Sequence, residues 1–221
     1  MADPAIPITC EGLAGHLAGK LTPLAVSAFS ALGLAEDFSG LVICPDALPG
    51  QDGVWYRLRP GAGKKDLPIL VLFCHPEGWQ DGGRVLDAVL PPKPVWEQAP
   101  APQGDSEGAT ASLNPQKAAI FLHHNLLGAR DLVRGRIRGR SLPANLAEAF
   151  AEAWAVGIDG RLARWGLPGY PLAERRANFA RLFSPAGILL PDHWQVFQAL
   201  WDGALAEQKE VLEVVKRLPG L

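Results

Sequence analysis

The sequence predicts an α+β protein in which a small N-terminal β-sheet is followed by a helical C-terminal half. Three short apolar or β-favouring runs, each closed by Pro or Gly, predict strands at 41–44, 54–58 and 69–73. Beyond residue 117 the apolar residues recur with helical spacing. Because the strands precede the helices instead of alternating with them, α+β is favoured over α/β.

The elements before and between these runs are predicted from Pro, Gly and Ala content. Residues 11–35 are rich in Ala and Leu and predict one or two helices, broken near Pro23 and ended by Gly33. Residues 91–116 contain six prolines and predict a loop or insertion that buries little apolar surface of its own. We expect a single domain over 1–221, with the sheet part at about 40–90 and the helical part at about 117–218.

The helical half begins with a clear start signal. Asn114 is a natural N-cap and Pro115 suits the first helical position, which predicts a helix to about Val133. The remaining predicted helices are 145–165, 171–183, 191–203 and 204–217. Gly157 would lie inside the second of these, where Gly costs about 1 kcal/mol relative to Ala, so we expect it to pack closely against a neighbouring helix, with Gly128 as a candidate partner.

Composition excludes several classes of protein. A hydrophobic fraction of 48% and a charged fraction of 20% exclude a mostly disordered chain, and a net charge of −2 gives no reason to expect a polyanionic partner. Three cysteines form no disulfide framework and predict a reducing compartment. The first residues lack a basic segment before an apolar run, and the longest apolar tract, 21–35, is too short to span a bilayer. We therefore expect a cytoplasmic protein without a membrane partner.

His123 and His124 are the residues most suggestive of chemistry. They are adjacent in a predicted helix, so they diverge by about 100° and cannot share the centre of one face. A metal site on one helix usually needs ligands at i and i+4. The i+4 position is Leu127 for His123 and Gly128 for His124, and neither residue can bind a metal through its side chain. His124 shares its face with Asp131 at i+7. A histidine pair in an apolar helix is more often structural, so we expect a structural role for at least one.

The order of elements around this segment resembles the minimal core of zincin-like metallopeptidases of the gluzincin type, over residues 54–165. That core has a sheet, a helix with His-Glu-x-x-His and a second helix that supplies a Glu ligand, for which Glu148 and Glu152 are candidates. If His124 is the first histidine of the motif, Asn125 stands in place of the catalytic Glu and Gly128 in place of the second histidine. If His123 is the first histidine, His124 stands in place of the Glu and Leu127 in place of the second histidine. Asn cannot act as the general base, so the resemblance implies a zincin-like scaffold that has lost peptidase activity.

Two functional hypotheses follow from this resemblance. The first is a non-catalytic binding or scaffold protein, not an enzyme, whose former active-site cleft accepts a peptide, a protein or an anion. The second is a metal-dependent hydrolase that holds zinc with His123 or His124, Asp131, and Glu148 or Glu152. The two glutamates are spaced i, i+4, for which a solvated helix face is the simpler interpretation.

An arginine-rich segment supports a third hypothesis. Residues 130–181 contain ten arginines and no lysine against five acidic residues, so this span carries +5 and the rest of the chain −7. Arg130, Arg134 and Arg138 are spaced i, i+4, i+8, and guanidinium groups bind carboxylate or phosphate in a bidentate way. They predict an anion site, or else pair with the acidic remainder. Nucleic acid is disfavoured because no recognition motif is present.

Overall fold

The computed structural model describes residues 6–45, 54–61, 67–74, 79, 113–138, 142–184 and 190–218. Residues 91–112 of the predicted Pro-rich loop lie outside this set, as does Arg140. A small sheet is followed by a helical half, so the predicted α+β class is confirmed. No helix within the described residues combines the length and the apolar character needed to cross a membrane.

The sheet formed by the described residues has four strands in the order β1-β2-β4-β3. The strands are β1 (Ile8–Cys10), β2 (Gly40–Pro45), β3 (Val54–Arg59) and β4 (Ile69–Cys74). β1, β2 and β4 are parallel, whereas β3 pairs antiparallel with β4. The sequence predicted the last three strands, but β1 was missed because three residues are too few to form a recognisable run.

Helix α1 (Gly15–Ala31) connects β1 to β2 and runs without a break through Pro23, so the predicted break is wrong. An internal proline costs about 3 kcal/mol because it removes a hydrogen bond and crowds the preceding turn. Leu21, Ala25 and Phe29 are buried on both sides of it, and their burial offsets that cost. Gly33, in the left-handed region with φ 62°, follows the helix end as predicted.

The helical half contains α2 (Pro115–Val133), α3 (Ala147–Arg164), α4 (Leu172–Phe183), α5 (Pro191–Asp202) and α6 (Gln208–Arg217). Short 3₁₀ turns lie at Leu34–Glu36 and Ala144–Leu146. The helices agree with the prediction to within about four residues at each end. The predicted cap of α2 is confirmed, because the Asn114 side chain accepts hydrogen bonds from the backbone N–H of Gln116 at 3.0 Å and Lys117 at 3.1 Å.

Helix α3 is the centre of the helical half, since α2, α4, α5 and α6 all pack against it. At Gly160 it approaches α5 so closely that a Cβ atom would lie 2.8 Å from the Trp201 carbonyl carbon. Gly157 also faces α5, because its Cβ position is 3.7 Å from the Leu200 carbonyl oxygen. The suggestion that Gly157 packs against Gly128 is therefore wrong. Gly128 instead faces Tyr56 of β3 and Ile158 of α3.

Candidate functional site

His124 lies in the middle of α2 and is only 2% exposed. Its Nδ1 is 3.0 Å from Oδ1 of Asp159, a fully buried residue of α3. The same carboxylate oxygen accepts a hydrogen bond from the backbone N–H of Tyr170 at 3.0 Å. The Asp159 carboxylate therefore joins α2 to α3 and to the segment that leads into α4.

Arg175 of α4 completes this group and is also fully buried. Its Nε donates to Oδ2 of Asp159, and its Nη2 is 3.4 Å from both ring nitrogens of His124. The Tyr170 ring packs edge-on against His124, with its centroid 4.8 Å from the Arg175 guanidinium carbon. Glu152 of α3 is farther away, with Oε2 3.8 Å from Nη1 of Arg175. We call His124, Asp159, Tyr170 and Arg175 the His124 cluster.

The His124 ring lies between a carboxylate and a guanidinium group. A proton on Nδ1 lets His124 donate to Asp159, while Nη2 of Arg175 lies 3.4 Å from each of the two ring nitrogens. The buried carboxylate and guanidinium neutralise each other, as buried charges must. Three helices are thereby cross-linked by polar contacts that water does not reach.

His123 is buried separately, on a different side of α2. Its Nδ1 lies 2.7 Å from the carbonyl oxygen of Ala119, one helical turn earlier, to which it can donate. Burial lowers the pKa of His123, and this hydrogen bond opposes the effect in part. The ring is therefore neutral near pH 7 and packed within the core.

Asn125 and Gly128, the two positions that depart from His-Glu-x-x-His, lie next to Tyr56 of β3. The Tyr56 hydroxyl of β3 donates to the backbone carbonyl of Asn125 at 2.5 Å, and the Asn125 side chain donates to Phe121 O at 2.9 Å. A Cβ atom at Gly128 would lie 3.0 Å from this hydroxyl oxygen. Gly128 is thus explained by the close approach of Tyr56 to α2.

Asp131 is bound by a separate set of donors. Nη1 of Arg161 donates to Oδ1 at 2.9 Å, and Nη2 of the same residue donates to Oδ2. The Trp154 indole N–H donates to Oδ2 at 2.9 Å, and Nη1 of Arg136 lies 3.6 Å from Oδ1. We call Asp131, Arg136, Trp154 and Arg161 the Asp131 cluster. Only 2% of Asp131 is exposed, so its charge is balanced by arginine instead of by solvent.

The structure does not gather the predicted metal ligands at one point. Glu148 is exposed in the first turn of α3, and Glu152 lies beside Arg175. Within the described parts of the chain, no three His, Cys, Asp or Glu side chains are arranged to hold a metal ion. The carboxylate closest to His124 is Asp159, which the sequence did not single out.

Two of the three predicted anion-binding arginines have carboxylate partners. Arg134 donates from Nε to Asp37 at 2.8 Å and from Nη2 to Glu36 at 3.1 Å, and its hydrogen bond to Asp37 raises its pKa. Arg130 donates to the Leu32 carbonyl at 3.0 Å and lies 3.4 Å from Asp37. These two arginines attach the end of α2 to the segment after α1. Arg138 is exposed.

The sequence did not identify the partners of His124 and Asp131, among them Asp159, Tyr170, Arg161 and Arg175. One signal was available for Asp159: an acidic residue between Ile158 and Gly160, in an apolar stretch of a predicted helix, must be paired if it is buried. Its partners were not readable, because they depend on how α4 folds back onto α3. Comparison with known proteins adds no further residue, since no family model, curated protein or solved structure matches the chain.

Proposed function

We propose that this chain is a non-catalytic binding or scaffold protein with a zincin-like arrangement in which the former zinc-helix histidine has become part of the core. Its partner would be a peptide, a protein or a small anion. The observation that carries the proposal is the burial of His124 between Asp159 and Arg175. A metal ligand needs an accessible nitrogen lone pair, and here the ring is buried with a guanidinium nitrogen 3.4 Å from each of its nitrogens.

Charge provides the strongest argument. Arg175 is permanently protonated, and its Nη2 lies 3.4 Å from each ring nitrogen of His124. A divalent cation bound at either nitrogen would be close to this positive charge in a region of low dielectric, where repulsion between like charges is strong. The residues around His124 therefore do not fit a zinc ion.

The residue at the motif position of the general base supports the same conclusion. Hydrolysis of a peptide requires a group that removes a proton from the attacking water. Asn125 replaces the expected Glu, and its amide is engaged with the Phe121 carbonyl. Tyr56 closes the space beside Asn125 and Gly128. The residues at these two motif positions, Asn125 and Gly128, thus make contacts that stabilise the fold.

Zinc content tests the proposal directly. The full chain, without a histidine tag, is purified from zinc-supplemented culture and measured by plasma mass spectrometry beside His124→Asn and the exposed-histidine control His16→Asn. A bound zinc ion would remain at about one equivalent, whereas we expect less than about 0.1 equivalent in all three proteins. Stoichiometric zinc that His124→Asn loses and His16→Asn keeps would overturn the proposal in favour of the metal-dependent hydrolase.

The hydrolase alternative would use His123 or His124 with Asp131 and Glu148 or Glu152. It requires Asp131 to exchange its bonds with Arg161 and Trp154 for a metal ion. It also requires His124 to leave Asp159. Because both carboxylates are nearly inaccessible to solvent, such a change involves repacking α2 against α3, and the zinc measurement decides whether it occurs.

Anion binding through Arg130, Arg134 and Arg138 is the remaining alternative. Arg130 and Arg134 would have to exchange Asp37 for the ligand. Neutralising Arg134 and Arg138 together would then weaken anion binding in a salt-dependent way. A different group of arginines is better placed for this chemistry.

A further inference from the structure

A cleft of about 330 Å³ lies between the C-terminal half of α3, the end of α5 and the start of α6. Its apolar lining includes Trp154, Leu200 and Val211. Three arginines reach it: Arg161 and Arg164 of α3, and Arg136 of the segment that follows α2. This volume is at the lower end of the range for small-molecule sites, so a compact ligand would fill it.

Among the described residues, the charged side chains that line this cleft are three arginines and no acidic residue. The Asp131 carboxylate lies behind Arg161, which donates to it from both Nη atoms. The lining therefore carries positive charge that Asp131 offsets only in part. The excess charge favours an anionic ligand.

Arg136 is the guanidinium group most easily recruited by a ligand. It is 36% exposed and its contact with Asp131 is long, at 3.6 Å. Arg164 is exposed and donates from Nη1 to the Trp201 carbonyl, near the end of α5. Arg161 is fixed by Asp131 and acts as a rigid positive wall. A ligand anion would thus contact two arginines that can adjust their positions, Arg136 and Arg164, and one that is pre-organised, Arg161.

Trp165 gives the cleft a second recognition element. It follows α3, lines the cleft and is 51% exposed, an unusual exposure for so large an apolar side chain. The indole of Trp154 lies deeper and is oriented by its bond to Asp131. Gly157, also in the lining, adds no side chain that would fill the space. An aromatic ring of the ligand can therefore stack on Trp165 while its anionic group meets the arginines.

We infer that this cleft binds a compact aromatic molecule that carries a phosphate or carboxylate group. The inference deepens the proposed binding function, but it uses no residue of the His124 cluster. Asp159 lies two residues from both Gly157 and Arg161, about 200° around the helix, so the two sites are on opposite faces of α3. Zinc at His124 would overturn the proposed function without affecting this cleft, and loss of cleft binding would leave the His124 argument intact.

Calorimetry with four probes tests the inference on the full chain at low salt: phenyl phosphate, benzoate, inorganic phosphate and phenol. We expect at least one aromatic anion to bind with a Kd below about 1 mM and about tenfold more tightly than phenol and inorganic phosphate, which each lack half of the recognition chemistry. The tighter of phenyl phosphate and benzoate identifies the anionic group. Absence of binding by both, or equally tight binding of phenol or inorganic phosphate, would overturn the inference.

Variants then locate the site. Arg136→Gln combined with Arg164→Gln, and separately Trp165→Ala, should each weaken binding about tenfold, since each removes one part of the recognition chemistry. The control Arg57→Gln combined with Arg181→Gln removes the same charge from exposed positions of β3 and α4. Binding that is unchanged in the cleft variants, or weakened equally by the control, would overturn the inference. Because Trp165 is half exposed, its variant tests the site even if the arginine variant folds poorly.

Discussion

The His124 and Asp131 clusters both join α2 to α3 through an aspartate bound by arginine, but they differ in their access to solvent. Asp159 and Arg175 are both fully buried, so the first pair is sealed among α2, α3 and α4. In the second, Asp131 is 2% exposed while Arg161 and Arg136 are 15% and 36% exposed. The same chemistry thus makes a structural link at one place and a charged wall of a cleft at the other.

The comparison shows why adjacent polar residues in a sequence need not share a function. Two of the residues that suggested a metal site belong to separate networks, each of which contains a bound arginine: His124 to one and Asp131 to the other. A buried ion pair is weak evidence for net stability, but removal of one partner is costly because the other charge remains buried. The two clusters should therefore respond differently to loss of an arginine.

Loss of Arg175 should have the largest effect. Arg175→Met leaves the buried Asp159 carboxylate without its guanidinium partner, which should lower the free energy of unfolding by about 3–5 kcal/mol, measured by urea denaturation. Arg181→Met, at an exposed position of α4, should cost less than about 0.5 kcal/mol. If Arg175→Met does not fold, Arg175→Lys should fold with an intermediate loss, because it keeps the charge but not the forked geometry. A loss below about 1 kcal/mol for Arg175→Met would show that Asp159 is not sealed.

Two neighbouring glycines of α3 should separate close helix packing from helix propensity. Gly160→Ala places a Cβ atom against the Trp201 backbone and should cost about 3 kcal/mol, since backbone cannot move aside cheaply. Gly157→Ala meets only the Leu200 carbonyl at 3.7 Å, so the gain in helix propensity should leave it neutral or stabilised by up to about 1 kcal/mol. Thermal and urea unfolding measure both. Equal effects at the two positions would contradict the close approach of α3 to α5.

Loss of an arginine from the Asp131 cluster should cost less than loss of Arg175. Arg161→Met leaves Asp131 with the Trp154 donor and with Arg136 nearby, so we expect about 2 kcal/mol. Arg134→Met removes a surface pair with Asp37 and Glu36 and should cost about 0.5 kcal/mol, because solvent screens the charges. The ranking Arg175, Arg161, Arg134 is the expected result in urea denaturation. Any inversion of it would break the contrast between the sealed and the open cluster.

The smallest expected effect is a pH dependence that arises from His123. Because its pKa in the folded protein is below the ordinary value of 6.5, the unfolded chain binds more protons, and the free energy of unfolding falls as pH decreases below about 6.5. Above about pH 6.5 the ring is mostly neutral in both the folded and the unfolded chain, so this source of pH dependence disappears. His123→Asn keeps a donor near the Ala119 carbonyl but does not titrate, so its urea midpoint should fall less between pH 7 and pH 5. Parallel curves for the two proteins would show that His123 does not contribute.

The sequence carried much of the fold because its start and stop signals are local. Asn114 with Pro115 fixed the beginning of α2, and Gly33 followed the end of α1, since capping depends on residues close in the chain. The break predicted at Pro23 was wrong because burial of the apolar face of α1 outweighs the free-energy cost of a proline inside the helix. β1 was missed because it is stabilised by its parallel pairing with β2, which its own three residues do not reveal.

The candidate site was less predictable because its contacts are long-range. The sequence identified His124, Asp131 and the excess of arginine, but it did not pair His124 with Asp159 or Asp131 with Arg161, which are 35 and 30 residues apart. It left Arg130 and Arg134 either to an anion site or to pairing with the acidic remainder, and it did not identify Asp37, almost a hundred residues away, as their carboxylate partner. A guanidinium group accepts many partners, so its role follows from helix packing and not from spacing.

The most direct test of the central claim is nitrogen NMR of the histidine rings. The full chain is labelled with ¹⁵N-histidine, His124 is assigned by comparison with His124→Asn, and spectra are recorded before and after addition of one equivalent of zinc chloride. We expect zinc to leave the Nδ1 and Nε2 signals of His124 unchanged, because the ring is buried between the Asp159 carboxylate and the Arg175 guanidinium group. A zinc-dependent shift of either nitrogen would contradict the account.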